Sequence, residues 1–143
     1  MRRTDPSETI HATCVAWQDR AVLILGRSGS GKSALALELM AYGCELVADD
    51  RVILQGDGPN VVASCPDTLH GLIEARGLGI LCAKPAPPTA IRLVVDLDTQ
   101  EVERLPLHRK FTCLERDLPL INRIAGAHCA AAILQMLKAG RSE

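Results

Sequence analysis

An eight-residue segment, Gly26-Arg27-Ser28-Gly29-Ser30-Gly31-Lys32-Ser33, fits the phosphate-binding loop pattern G-x-x-x-x-G-K-[ST] at every fixed position. The short apolar run before it, residues 21–25, predicts a strand buried on both faces. The alanine- and leucine-rich run after it, residues 34–40, predicts a helix. Backbone N–H groups in such a loop can surround phosphates at the positive end of the helix. The segment therefore predicts an α/β fold that binds a nucleotide phosphate, and the alternative is a glycine-rich turn without a ligand.

Two side chains at the end of this loop complete the expected site. The ammonium group of Lys32 can reach the terminal phosphates of a nucleotide, and the hydroxyl of Ser33 suits a magnesium position. All eight loop residues are therefore candidates for contact with the nucleotide, with Mg²⁺ beside it.

Composition limits the other possibilities. With 143 residues, 48% of them hydrophobic and 2% aromatic, the chain is long enough for one domain with an aliphatic core. The net charge is −1 and neither sign forms a long run, which argues against a general nucleic-acid binder. The six cysteines include no C-x-x-C pair, so we expect neither a zinc site nor disulfides. Because we find no secretory segment and no apolar run of about 18 residues, we expect a cytoplasmic protein that does not enter membranes.

The apolar and turn-forming residues predict an order of elements. We expect residues 1–8 to be a flexible lead-in and residues 9–143 to be a single catalytic domain. Within it we expect a strand over 9–17, the loop strand and its helix, strands at 45–48, 51–54 and 61–63, a broken strand over 69–82, an extended linker at 84–88, a strand at 90–97 and a closing helix over 125–139. Residues 99–123 show no clear pattern.

Two adjacent carboxylates, Asp49 and Asp50, follow a predicted strand and lie 17 and 18 residues after Lys32. This placement can bring them to the phosphate-binding edge of a sheet. Phosphoryl transfer needs a metal holder and a group that accepts the proton of the attacking hydroxyl, so paired acids suit that chemistry. The alternative is an exposed strand end that enters a turn. At this point a nucleotide hydrolase, a small-molecule kinase, a protein kinase and a nucleotide sensor all remain open.

Four runs of the sequence resemble the bacterial HPr kinase/phosphorylase family, serine kinases of a phosphotransferase-system carrier protein. The runs are Thr9-Ile10-His11, the phosphate loop with Ala36-Leu37-Glu38-Leu39 behind it, Leu46-Val47-Ala48-Asp49-Asp50-Arg51-Val52, and Ile73-Glu74-Ala75-Arg76-Gly77-Leu78-Gly79-Ile80. The resemblance implies a P-loop fold of the HPr kinase and phosphoenolpyruvate carboxykinase type, with a mixed sheet and flanking helices. It also implies ATP and Mg²⁺ as cofactors, an HPr-like carrier protein as substrate, and a homo-oligomer, a hexamer in this family.

The resemblance also assigns roles to single residues. Lys32 would bind and polarise the phosphates, Ser33 and Glu74 would hold Mg²⁺ with Asp50 as a further metal candidate, and Asp49 would be the catalytic carboxylate. His11 matches the active-site histidine of the family, and its alternative is a surface or packed strand histidine.

Two arginines complete the implied catalytic set. Arg76 would grip the transferring phosphoryl group. Arg104 is the best match for an arginine that the family places beyond the next strand, and its alternative is an exposed arginine in a charged loop.

Two regions depart from the family pattern. His11 lies ten residues from the start of the sequence, so we expect a short form that consists of the catalytic domain alone. Residues 118–124 read L-P-L-I-N-R-I where longer members carry a P-V-x-P-G-R-N type loop, so the phosphate-removing activity stays open. The rival functions are a small-molecule P-loop kinase and a nucleotide-binding regulatory module without transfer activity.

Overall fold

The computed structural model describes residues 6–142 of the chain. Its elements, in chain order, are β1 (Ser7–His11), β2 (Thr13–Trp17), β3 (Arg20–Leu25), α1 (Lys32–Ala41), β4 (Glu45–Ala48), β5 (Arg51–Asp57), β6 (Asn60–Ser64), a short 3-10 helix (Asp67–Leu69), β7 (Leu72–Ala75), β8 (Gly79–Cys82), β9 (Thr89–Gln100), β10 (Arg109–Cys113), β11 (Arg116–Arg123) and α2 (Cys129–Ala139). No helix within residues 6–142 has the length and apolar character needed to cross a bilayer.

One mixed sheet of nine strands organises the described chain, in the order β1-β5-β6-β9-β3-β2-β4, with β11 beside β9 and β10 beside β11. The strands β3, β9 and β11 are parallel, whereas β2 is antiparallel to both of its neighbours, β3 and β4. Because β2 reverses direction between them, β3 and β4 run the same way and end at the same edge. The strands β7 and β8 form a separate antiparallel hairpin. The expected mixed sheet with flanking helices is confirmed.

The core lies on both faces of the central strands. Val22 and Ile24 of β3 belong to a buried cluster with residues of α1 and α2, while Leu23 of the same strand packs in a second cluster with residues of β5 and β6. Both clusters consist mainly of aliphatic side chains. The strand before the phosphate loop is therefore buried on both faces, as its apolar sequence predicts.

Several predicted elements are confirmed, namely the loop strand β3, its helix α1, the strands β4, β6 and β9, and the interrupted strand over 69–82, which is the hairpin of β7 and β8. The strand predicted at 51–54 is longer in the structure, because β5 continues to Asp57, and β6 begins at Asn60. The closing helix begins at Cys129 rather than at residue 125. Its delayed start follows from Gly126, whose φ of 104° lies outside the helical region.

The single strand expected over residues 9–17 is wrong. The chain forms two strands there, β1 paired with β5 and β2 paired with β3 and β4, separated by the fully buried Ala12. Apolar alternation continues through both strands, so the sequence pattern contains no break. The expected flexible lead-in is also too long, because Ser7 and Glu8 belong to β1 and pair with Gln55 and Leu54 of β5. The rest of that lead-in, residues 1–5, lies outside the described residues.

Candidate active site

The carboxyl ends of β3 and β4 open onto a cavity of about 820 Å³. Its walls come from the phosphate loop and the first turn of α1, from the segment that follows β4, from the junction between β1 and β2, and from the hairpin of β7 and β8. Most sequence candidates line it: His11, Ser28, Gly29, Gly31, Lys32, Ser33, Asp49, Asp50, Glu74 and Arg76. Segments that are far apart in the sequence thus form one site.

The phosphate loop has a backbone that suits an anion. Gly31, the residue before α1, has a φ of 103°, a left-handed conformation that favours glycine. Within the described structure no side chain caps α1 at this end, so its first N–H groups and its positive dipole end are available to phosphate oxygens. The Ser30 hydroxyl, buried in the same loop, has no hydrogen-bond partner within residues 6–142. Both observations fit a nucleotide phosphate.

Lys32 is nearly buried, at 7% exposure, and its ammonium group contacts its own loop. Its Nζ donates hydrogen bonds to the carbonyl oxygens of Gly26, at 2.7 Å, and Arg27, at 3.1 Å. These carbonyls occupy two of the three N–H donors of the ammonium and hold its charge inside the loop, so one donor remains for a terminal phosphate.

Asp49 is the centre of the hydrogen-bond network at this edge of the sheet. Its side chain is 8% exposed, and three donors reach it. The hydroxyls of Thr13 and Ser33 donate to Oδ1 at 2.9 and 2.8 Å, and the backbone N–H of Glu74 donates to Oδ2 at 3.1 Å. The carboxylate thus joins β2, α1 and β7. Its position next to Ser33 places an acid beside the phosphate loop, as phosphoryl transfer requires.

Asp50 has a different environment. Its φ of 71° turns the backbone sharply after Asp49, and its Oδ1 lies 2.7 Å from Nε2 of His11. Both side chains of this pair are at least half exposed. His11 reaches this position because β1 pairs with β5 immediately after the turn, with His11 opposite Arg51. The two adjacent carboxylates therefore have separate partners: Asp49 accepts from donors on β2, α1 and β7, whereas Asp50 contacts His11 of β1.

The comparisons with known proteins agree with this geometry. Residues 3–121 match the family model described as the HPr Serine kinase C-terminal domain. The chain belongs to this family. It is similar to the HPr kinase/phosphorylase of Cupriavidus necator, with 41% identity over 121 residues, in an alignment that covers 77% of this chain and 38% of that protein. The corresponding protein of Geobacillus thermodenitrificans is 38% identical over 127 residues, in an alignment that covers 80% of this chain and 41% of the relative.

A solved structure is similar over nearly the whole chain. The Hpr(Ser) kinase/phosphatase from Coxiella burnetii superposes with a TM-score of 0.79 at 25% identity, covering 92% of this chain and 88% of that one. The curated relatives above are longer, and the chain spans about two fifths of their length, 38% and 41%. The match to this HPr kinase family therefore concerns the domain that carries the phosphate loop.

The metal candidates of this HPr kinase domain share the cavity without forming a complete cage. Ser33, Asp50 and Glu74 all line it, but residues 6–142 contain no group of three His, Cys, Asp or Glu side chains arranged to hold a metal ion. A hydroxyl, one or two carboxylates and the phosphates of the nucleotide form the usual oxygen ligands of Mg²⁺ at such sites. The donor set fits Mg²⁺ bound together with a nucleotide.

Arg104 does not line this cavity. It is exposed in the segment between β9 and β10. The guanidinium of Arg109 donates hydrogen bonds to Glu101 at the base of this segment, and these bonds, with further backbone donors, hold the pKa of Glu101 below its usual range. Of the two arginines implied by the family, only Arg76 is near the phosphate loop within one chain.

Three residues with evident roles at the site were missed from the sequence. Thr13 binds Asp49, as described above. Asp98 accepts the backbone N–H of Arg27 with both carboxylate oxygens at 3.1 Å. Arg123 donates to the carbonyl of Leu97 at 3.0 Å and to the carbonyl of Ser30 in the phosphate loop. None of them belongs to a recognisable motif, because each acts through a contact with a distant segment.

Proposed function

We propose that this chain is an ATP- and magnesium-dependent protein serine kinase that phosphorylates an HPr-like carrier protein. The observation that carries the proposal is the position of Asp49, whose carboxylate lies 2.8 Å from the Ser33 hydroxyl at the end of the phosphate loop. A nearly buried acid at this place suits a base for an attacking hydroxyl. The names of the related proteins, HPr kinase/phosphorylase, support the choice of acceptor.

The loop residues would bind the nucleotide. The N–H groups at the start of α1 would contact the phosphates, with Lys32 on the terminal phosphate oxygens and Ser33, Glu74 and Asp50 toward the metal. Bound ATP with Mg²⁺ would supply the phosphoryl group and screen its charge. Arg76, on the hairpin beside Glu74, would neutralise charge on the transferring group.

Asp49 would accept the proton of the carrier's serine hydroxyl. A new bond joins the serine oxygen to the γ-phosphorus, the bond from that phosphorus to the bridging oxygen breaks, and ADP leaves with the bonding electrons. His11 would orient Asp50 at the mouth of the cavity through their 2.7 Å contact. In the reverse direction, Asp49 would return the proton to the serine oxygen as the bond between that oxygen and phosphorus breaks, and the phosphoryl group would pass back to ADP.

The proposal includes assembly into a homo-oligomer. The segment between β9 and β10 exposes three apolar side chains, Val102, Leu105 and Leu107, at 84%, 59% and 84%. Exposed apolar side chains concentrated in one segment suit a protein contact. Arg104 lies among them, so in an oligomer it would approach a neighbouring copy rather than its own cavity.

The experiment that tests the function is incubation of the protein with γ-labelled ATP, Mg²⁺ and purified HPr, followed by mapping of the label. Label on a serine of HPr is the expected result. Label on a small molecule would favour the small-molecule kinase, and nucleotide binding without any transfer would favour the regulatory module. Either outcome would reject the proposed function.

A further inference from the structure

We propose that Thr13 is a positioning residue for the reaction, holding the Asp49 carboxylate in the orientation that accepts the acceptor's proton. This inference rests on the proposed function. It starts from the burial of Thr13, a polar residue that is fully inaccessible in a core that is mainly aliphatic. Its hydroxyl donates to Oδ1 of Asp49 at 2.9 Å.

The backbone of Thr13 is fixed from both sides. It is the first residue of β2, the strand between the loop strand β3 and the strand β4 that leads to Asp49. Thr13 pairs with Ile24 of β3, and the next residue, Cys14, pairs with Ala48 of β4. A β-branched side chain on such a strand has restricted rotation about χ1. The hydroxyl is therefore held toward the carboxylate by rigid structure.

The second hydroxyl that donates to Oδ1 of Asp49, that of Ser33, lies beside the nucleotide site. Ser33 lies in the first turn of α1 and lines the nucleotide cavity, where its oxygen is the candidate metal ligand. If Ser33 turns toward a metal ion, Thr13 is the only hydroxyl within the described residues that still donates to Oδ1 of Asp49. Thr13 then keeps the carboxylate from rotating during catalysis.

The hydrogen bonds to Asp49 also indicate which positions on its carboxylate are open to substrate. A carboxylate accepts about four hydrogen bonds, two per oxygen. Thr13 and Ser33 occupy Oδ1, and the Glu74 N–H occupies one position on Oδ2. The remaining position in this arrangement is on Oδ2, and a second one opens on Oδ1 when Ser33 turns toward a metal ion. The acceptor hydroxyl can therefore bind at either oxygen while Thr13 fixes Oδ1.

Two substitutions separate a positioning role from a structural one. Thr13→Val removes the hydroxyl but keeps the branched shape, so the fold should be as stable as the wild type or more so, while kcat falls about 10- to 100-fold because the carboxylate loses its alignment. Thr13→Ser keeps the hydroxyl but removes a methyl group from the core, so the melting temperature should fall while kcat stays within about threefold of the wild type.

A matched control is available in Thr89. It is also buried, at 5% exposure, and its hydroxyl donates to the carbonyl of Pro87 at 2.7 Å, away from the cavity. Thr89→Val should leave kcat unchanged. For all variants, the dissociation constant of a fluorescent ATP analogue, measured without acceptor, should stay within about twofold of the wild type, since Thr13 does not form the phosphate loop.

The measurements are kcat and KM for HPr, the analogue's dissociation constant and the melting temperature of the four proteins. A Thr13→Val enzyme as fast as the wild type, or a Thr13→Ser enzyme as slow as Thr13→Val, overturns the positioning role. If the wild type labels no HPr, the proposed carrier substrate is rejected, and the same proteins are compared by hydrolysis of ATP with water as acceptor. Equal hydrolysis rates for wild type and Thr13→Val then overturn the inference about Thr13 independently.

Discussion

Asp49 and Asp50 are adjacent residues with the same side chain, but their positions give them different chemistry. Asp49 follows β4 into the interior and binds three donors, whereas the left-handed backbone of Asp50 directs its carboxylate to the half-exposed His11. A buried carboxylate with fixed hydrogen bonds is suited to accept one proton in a defined direction. We therefore propose Asp49, and not its neighbour, as the base.

At the residue scale, substitutions of Asp49 and of Lys32 should affect different steps, catalysis in one case and ATP binding in the other. Asp49→Asn should lower kcat by about 10²- to 10⁴-fold, the typical contribution of a general base, with little change in ATP binding. Lys32→Met should weaken ATP binding by about 10- to 100-fold, because a charge-assisted hydrogen bond to the phosphates is lost. Isothermal titration with a non-hydrolysable ATP analogue and steady-state kinetics measure the two effects.

The control for this pair is Asp117→Asn, an isosteric change on the far strand β11. Asp117 is exposed and accepts hydrogen bonds from Thr112 and Lys110. Its substitution should alter neither kinetics nor binding. Wild-type turnover by Asp49→Asn would contradict the assigned role.

At the element scale, the phosphate loop is held by strands that the motif does not include. Arg123, the last residue of β11, connects the carbonyl of Leu97 in β9 to that of Ser30 in the loop. One planar guanidinium makes both contacts, a geometry that lysine does not reproduce. The conformation of the loop therefore depends on the distant strand β11.

We expect Arg123→Lys to weaken ATP binding by about tenfold, because lysine cannot keep both carbonyl contacts that Arg123 makes and the loop becomes less ordered. Arg116→Lys is the matched control, since Arg116 begins the same strand but donates to the carbonyl of Gly58 outside the cavity. Titration with an ATP analogue distinguishes the two variants. Equal affinities would show that Arg123 does not organise the loop.

The hairpin of β7 and β8 gives a second prediction at this scale. Leu78 at its turn and Ile80 beside the cavity are 80% and 63% exposed, although both are large and apolar. If the hairpin contacts the carrier protein, Leu78→Ser and Ile80→Ser should each raise KM for HPr by up to about 10-fold, because each substitution removes apolar contact area. The affinity for ATP should not change. Tyr42→Ser, at a 57% exposed position after α1, is the control and should leave KM unchanged. KM values equal to the wild type in both hairpin variants would exclude this surface from docking.

The elements that were predictable from sequence were those with local signals. The phosphate loop, its strand and its helix follow from a motif and an apolar run, and all three are present. The strands β10 and β11 were not assigned, and their turn shows why. Leu114 and Glu115 both have positive φ, at 50° and 66°, in a two-residue connection where glycine or asparagine is the usual signal. The contact from Arg123 to Ser30 spans 93 positions and has no local pattern at all.

At the scale of the whole molecule, the sheet is covered on both faces by two aliphatic clusters, and four of the six cysteines lie inside them. The four are Cys14, Cys44, Cys65 and Cys113. These four cysteines are thus small buried core residues, whereas Cys82 is exposed and Cys129 is partly exposed. All six are free thiols in the described structure.

Because the thiolate is the reactive form, burial should make most of these thiols unreactive in the folded protein. Burial raises the pKa of Cys44 and of Cys113 to about 11, and raises the pKa of Cys14 even further. At pH 8 we therefore expect Ellman's reagent to modify the exposed Cys82 first and the partly exposed Cys129 more slowly. The four buried thiols should react only when the chain unfolds, so the rate of their modification measures the global unfolding of the protein. Cys82→Ser should remove the fast phase, and four rapidly reacting thiols without denaturant would contradict the two-cluster core.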